Sequence, residues 1–223
     1  MFGEICLKLN LTRGESFIFG VAAASFAASL VAYLYLPERL AVHWNASGTA
    51  DGYSGKFFGA FLIPCISLVL AVVLSIIPRI EPNSKSIDSF RGHYEAFAIT
   101  LALFIAGLHL QLSLLWNLGV QISPALTIPL GLAILFFKLG EMLEKSQRNY
   151  FIGVRTPWTL ASEPVWKKTN SLAGKLFKFA AIPLLAAAFL PQYGIYLLLV
   201  VVALLAMSLV GYSFVEYSKE KKR

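Results

Sequence analysis

Little in this sequence is equipped for covalent chemistry. It has only two cysteines, Cys6 and Cys65, which cannot found a disulfide framework. Cys6 lies near the start and Cys65 inside an apolar run, so packing or chance accounts for both. There is no His-Glu-x-x-His run, no Gly-x-Ser-x-Gly elbow and no pair of carboxylates inside an apolar stretch, and this argues against an integral-membrane enzyme. Nothing calls for a cofactor. Charge is scarce as well: Asp, Glu, Lys and Arg make up 14% of the residues, whereas a soluble domain carries about a quarter.

What fills the space is hydrocarbon. The chain is 57% hydrophobic, with a mean hydropathy of +0.69. Six apolar spans are predicted, at 16–36, 57–77, 96–118, 123–137, 176–190 and 195–217. A bilayer core takes roughly 20 helical residues, so the fourth and fifth spans look short. The fourth can borrow Leu139 and Leu143 beyond Lys138, and the fifth can let Lys175 and Lys178 snorkel. The fold class predicted is an all-α integral membrane protein: six transmembrane helices with an amphipathic cytoplasmic interfacial helix.

The cations are polarised. With six crossings, the segments holding Lys8 and Arg13, then Arg79, Lys85 and Arg91, then the stretch from Lys138 to Lys178, then the tail from Lys219 to Arg223, all fall on one face. Only Arg39 and Lys56 remain for the other. Short loops rich in Lys and Arg stay in the cytoplasm, which predicts a multi-pass plasma-membrane protein with both termini inside. The net charge of +7 then reads as topology and as attraction to anionic lipid. It does not read as a nucleic-acid footprint, because it is spread over several loops. The small residues of 22–29 resemble a signal cleavage region, but 30–36 continue the apolar run beyond it, so the first helix reads as uncleaved. Asn45-Ala46-Ser47 matches the glycan acceptor pattern, a triplet common by chance.

Three regions stand out. The loop from Leu36 to Lys56 carries His43, Trp44, Asn45, Asp51 and Lys56. Asp51-Gly52 is a strong turn pair, and the alternation around Val42 and Trp44 suits a short extended stretch. His43, Asn45 and Asp51 could gather on an extracellular ligand, or simply satisfy the backbone of a compact cap. A metal needs three or four convergent ligands, and at most two are plausible here. The second region runs from Arg148 through Arg155-Thr156-Pro157-Trp158-Thr159 to Gly174. From Val165 its apolar positions form a helical stripe with Lys167, Lys168, Lys175 and Lys178 opposite, as in a helix lying in the headgroup plane. Ser162 is the expected N-cap. Arg155 with Trp158, and Arg148 with Asn149, could meet a phosphate or carboxylate. The third is His109, deep in the third span, where an ionisable group is a candidate by default. It shares a helical face with Ser113 and Trp116, and reads either as a neutral imidazole bonded to a neighbouring helix or as a proton relay.

Together these segments carry a resemblance. His43-Trp44-Asn45, Gly48, Asp51-Gly52 and Lys56 resemble a small uncharacterised domain at the start of many prokaryotic membrane proteins. Arg148-Asn149, Gly153, Arg155-Thr156-Pro157-Trp158-Thr159, Trp166, Asn170 and Gly174 resemble the core motif of the SdpI immunity-protein family. The resemblance spans about residues 20 to 200. It implies a six-span, non-catalytic protein giving resistance to a secreted antimicrobial peptide, with a cytoplasmic repressor captured as a signal. The expected division is 1–15 as a cytoplasmic segment, 16–77 as a helix pair with the His-Trp-Asn loop, 78–122 as an inner loop and third helix, 123–217 as the SdpI-like region with its long cytoplasmic loop at 138–175, and 218–223 as a basic tail. The competing reading is a small transporter or lipid-handling protein with inverted three-helix halves.

Overall fold

The structure, a computed structural model, describes residues 10–222. Cys6, Lys8 and Arg223 lie outside the described residues. Helix α1 (Arg13–Tyr33) starts in a capping box: Glu15 N donates to Thr12 Oγ1, and Thr12 N donates back to the Glu15 carboxylate. Strands β1 (Arg39–Trp44) and β2 (Ala50–Gly55) form an antiparallel hairpin. Helix α2 (Lys56–Ile80) returns along α1, and a short α3 (Ser84–Asp88) leads into α4 (Arg91–Leu108). The last part of that span is a π-helix, His109–Leu115, followed by a 3-10 turn, Trp116–Leu118. Then come α5 (Pro124–Lys145), α6 (Pro157–Ala161), α7 (Glu163–Ala187) and α8 (Gly194–Lys221).

The bundle is built as membrane bundles are, with small residues at the seams and large apolar ones outside. The buried stripe of α1 includes Ala22, Ser25, Ser29 and Ala32, and that of α2 includes Ala60, Ser67, Ala71 and Ser75. Phe57, Leu68, Val69 and Val73 on α2 face outward. Five helical stretches are long and apolar enough to cross a membrane: Arg13–Tyr33, Lys56–Ile80, Arg91–Leu118, Pro124–Lys145 and Pro191–Lys221.

Helix α7 departs from the sequence reading. The basic amphipathic stretch from Val165 is continuous with the fifth span, in one helix of 25 residues about 37 Å long. It packs against α5 and α8, and its cationic half meets α8 through Lys168 and Glu216. Ser162 caps it as expected, accepting from Val165 N. Lys138 and Lys178, which seemed to cut the fourth and fifth spans short, each have an acidic partner. Lys138 Nζ reaches Glu141 at 2.8 Å, and Lys178 Nζ crosses from α7 to Glu144 of α5 at 2.7 Å.

The tightest seam joins α5 to α7. A Cβ on Gly140 would come within 2.6 Å of the Gly174 carbonyl oxygen, and one on Gly174 within 2.3 Å of Glu144 Cγ. Both glycines are required by backbone-to-backbone approach. Gly174→Leu is therefore expected to cost about 1–3 kcal/mol by overpacking, read as a lower unfolding midpoint in detergent. Gly20→Leu, where an added Cβ meets nothing within 4 Å, should leave that midpoint unchanged or raise it.

Candidate functional site

Residues singled out in the sequence occupy two opposite ends of the bundle. At one end sits the hairpin. Its turn is made by Asn45–Thr49, with Gly48 at φ 80°, and not by Asp51-Gly52, which lies within β2. Asn45 explains why: its Oδ1 accepts from Ser47 N, Ser47 Oγ and Thr49 N, closing an Asx-type turn. Gly52 serves close approach instead, since a Cβ there would lie 2.8 Å from His43 Cβ across the ladder. His43 Nδ1 and Asp51 Oδ1 meet at 2.5 Å with both side chains well exposed. Lys56 is not part of that group. It stands at the hairpin base, 3.5 Å from Glu38 and over the Tyr33 ring. The five hairpin candidates thus divide into Asn45 in the turn with Trp44 beside it, the hydrogen-bonded His43 and Asp51, and Lys56 at the base. Among the described residues no group of three or more His, Cys, Asp and Glu could hold a metal ion.

Two anchors fix the hairpin to the bundle. Leu40 is fully buried against Gly59 of α2. Asn117, which the sequence reading passed over, pairs with the backbone of Ala41: its Oδ1 accepts from Ala41 N at 2.8 Å and its Nδ2 donates to Ala41 O at 3.3 Å. The side-chain amide acts as a one-residue strand, and Trp116 beside it meets Trp44 edge to face at 5.5 Å. Below them the π-helix changes the phase of the span. His109 is 1% exposed, with Nε2 2.9 Å from Ser29 Oγ, whose hydroxyl donates to Ala60 O at 2.7 Å. Through Ser29 this imidazole links the π-helix to α1 and α2.

Trp44 also lines a cavity of about 370 Å³ between the hairpin tip and the ends of α5, α7 and α8. His43 and Asn45 line it at the hairpin tip, and its other walls are apolar, including Ala125, Ile128, Pro129, Leu184 and Leu198. The Trp44 Nε1 is buried without a hydrogen-bond partner among the described residues.

At the other end, residues 146–162 form a knot rather than an open loop. Asn149 is 2% exposed and uses its whole amide. Its Nδ2 donates to Gln147 O and Ile152 O, and its Oδ1 accepts from Phe151 N and Ile152 N, all within 2.7–2.8 Å. Asn170 Oδ1 accepts from Val154 N at 2.8 Å, and Trp166 Nε1 donates to Ser146 O at 3.1 Å. Gly153, at φ 131°, packs where a Cβ would strike Trp166 and Asn170. Thr156 and Thr159 cap α6 reciprocally, with Pro157 as its first residue. Thr156 Oγ1 donates to Ser213 Oγ on α8 at 3.1 Å. Trp158 meets Phe214 of α8 edge to face at 5.1 Å.

The motif is therefore mostly interior. The pairing of Arg148 with Asn149 for an anion does not occur, because Asn149 is turned inward while Arg148 binds Leu160 O and lies 3.4 Å from Glu163. Arg155 remains exposed, its guanidinium donating to the Tyr150 carbonyl. Beyond the motif, Glu15 is 4% exposed and holds Arg79 at 2.7 Å and Arg91 at 3.2 Å. This clamp across α1, α2 and α4 could have been sought in the lone acid of the first helix. Asn149→Ala, which leaves several buried backbone groups unpaired, is expected to destabilise by about 2–3 kcal/mol. Arg155→Ala should stay within about 0.5 kcal/mol. Denaturant unfolding of the two purified variants compares them directly.

With the geometry in hand, comparison with known proteins is informative. Residues 145–213 match the SdpI/YfhL protein family, and residues 20–68 match a domain of unknown function, DUF1648. The first stretch contains the knot, the second the hairpin. The immunity protein SdpI of Bacillus subtilis (strain 168) is 30% identical over 205 residues, covering 91% of this chain and 93% of the relative. No solved structure matches. A likeness that runs nearly end to end and takes in both the hairpin and the knot means that this membrane protein belongs to the SdpI family.

Proposed function

We propose that this protein protects the cell against a secreted antimicrobial peptide and reports the peptide's presence to a repressor in the cytoplasm. The observation that carries the reading is the near full-length likeness to an immunity protein. The chain crosses the plasma membrane six times, α7 included, with both termini inside. In support, the ends of α1, α2, α4, α5, α7 and α8 alternate between the hairpin end and the knot end, and nearly all cations gather at the knot end. The hairpin then faces outward and the knot inward.

Protection needs no catalysis in this scheme. The peptide engages the outer end, and the engaged state differs in the setting of α5 against α7. Those helices reach both ends: Ala125 and Leu184 line the outer cavity, while Ser146, Trp166 and Asn170 build the knot. Because they are fused at Gly140 and Gly174, movement at one end is carried to the other as a unit. Coupling requires that the peptide prefer one arrangement of the pair. Exposed Lys145, Arg155 and Lys167 surround the knot and present the surface that the repressor reads.

Two measurements test this. In a background lacking Cys6 and Cys65, Asn45→Cys should react with an impermeant maleimide in intact cells, and Leu160→Cys only after permeabilisation; labelling of both in intact cells sinks the topology. Expression in a sensitive strain without its own immunity gene should allow growth at peptide concentrations that kill the empty-vector strain. Killing at the same concentration refutes the protective role.

A further inference from the structure

The knot roofs an apolar cleft that no part of the proposed mechanism uses. Helix α8 packs on α7 and α6, and neither α2 nor α4 is among its main neighbours. The knot bridges that gap: Tyr150 N donates to the Glu81 carboxylate, just past α2, at 3.0 Å, and Thr156 Oγ1 donates to Ser213 of α8. Beneath the bridge lie two lobes of about 330 and 430 Å³. The first is walled by α2, α4 and α5 through residues such as Leu74, Phe97 and Leu139. The second is walled by α5 and α8 through Phe136, Val202 and Leu209. Val154 of the knot and Phe177 of α7 line both, so the lobes meet there.

The cleft asks its occupant for hydrocarbon. Of the described side chains lining either lobe, only that of Tyr94 carries oxygen or nitrogen, and its hydroxyl donates to Leu74 O at 2.5 Å. The knot backbone beside it is spent as well: Phe151 N and Ile152 N on Asn149, Val154 N on Asn170, and Val154 O on Thr159. A peptide lodged here would leave its own N–H and C=O groups desolvated and unpaired, whereas an acyl chain has none to satisfy. Val202 and Val210 of the second lobe are nearly half exposed, so the cleft opens sideways, where lipid surrounds a membrane bundle. Charge marks its mouth. Arg155 follows Val154, and its guanidinium donates to the Tyr150 carbonyl, in the peptide link that leads into Phe151 of the first lobe. It is exposed and has no carboxylate partner among the described residues. A guanidinium has five N–H donors, so most remain for an acceptor, and phosphate is a group that its fork fits.

We propose that the cleft binds one anionic glycerophospholipid, with an acyl chain in each lobe and its phosphate on Arg155. The bound phosphate occupies one of the three exposed cations around the knot and leaves Lys145 and Lys167 to a protein partner. The inference rests on the proposed topology only for the leaflet, the inner one, that supplies the lipid. A reversed labelling result would change the leaflet and leave the site.

The full chain in detergent is titrated with phosphatidylglycerol or with phosphatidylcholine of the same acyl chains, and bound lipid is counted by native mass spectrometry. The wild type should hold one phosphatidylglycerol under activation that strips the others, and should prefer it to phosphatidylcholine. Arg155→Ala should weaken phosphatidylglycerol binding about 10-fold, as the loss of a charged hydrogen bond would, and leave phosphatidylcholine binding unchanged. Ala206→Trp fills the second lobe from an exposed position of α8 and should abolish retention of both lipids. Ala203→Trp, exposed on the same helix outside the lining, should retain lipid as the wild type does, which separates loss of the site from damage to α8. Equal affinity of the wild type for the two lipids overturns the proposal. Unchanged affinity in Arg155→Ala or full retention by Ala206→Trp overturns it as well. So does complete displacement of the lipid by inorganic phosphate, which marks a free-anion site, or by an end-blocked peptide of alternating Leu and Ala, which marks a peptide site.

Discussion

Everything at the two ends of this molecule depends on how closely α5 and α7 approach each other. At Gly140 and Gly174 the backbones are in contact, with no room for even a methyl group on either. Without a hydrophobic force between helices in lipid, such contact is what holds them, through dispersion and a few polar bonds. Lys178 and Glu144 add one of those bonds next to the crossing. The seam fixes where Ser146 stands relative to Trp166, and so whether the knot can close. It equally fixes Ala125 relative to Leu184, and so the shape of the cavity at the far end.

The main buried polar groups elsewhere are each bonded, to backbone, to another side chain or to an opposite charge. His109 joins Ser29, itself bonded to Ala60; Asn117 joins Ala41; Glu15 joins Arg79 and Arg91; Asn149 is spent entirely on its own turn. Burying such groups unpaired is costly, and more so in lipid. The two exceptions are Trp44 Nε1 and Thr169 Oγ1, the buried side-chain atoms with no partner among the described residues.

Much of the architecture was legible in the sequence, for a physical reason. Apolar run length and the placement of Lys and Arg depend on composition alone, and five of the six predicted spans correspond to helices apolar enough to cross a membrane. Position 162 as a cap was also readable, because Ser followed by Glu-Pro has local chemistry of its own. What could not be read depended on partners far away in the chain. Lys138 and Lys178 looked like span boundaries until Glu141 and Glu144 were found beside them. Asp51-Gly52 looked like a turn, but the Asn45 side chain had already closed one earlier, and the glycine answered to His43 across the strands. In the Arg-Thr-Pro-Trp-Thr run, Arg155 with Trp158 looked able to meet a phosphate or carboxylate. Thr156 and Thr159 instead face inward, while Arg155 and Pro157 stay exposed.

The last helix has an effect on how the chain is made. Ser213 accepts from Thr156, Glu216 pairs with Lys168 at 2.6 Å, and Glu220 accepts from Ser162 at 2.5 Å. The knot is thus stitched to residues some fifty positions downstream, in the later turns of α8. During translation the segment from 146 to 162 lacks these partners until α8 has been made and has packed beside it. Closure of the knot then marks the moment at which α8 has packed against it.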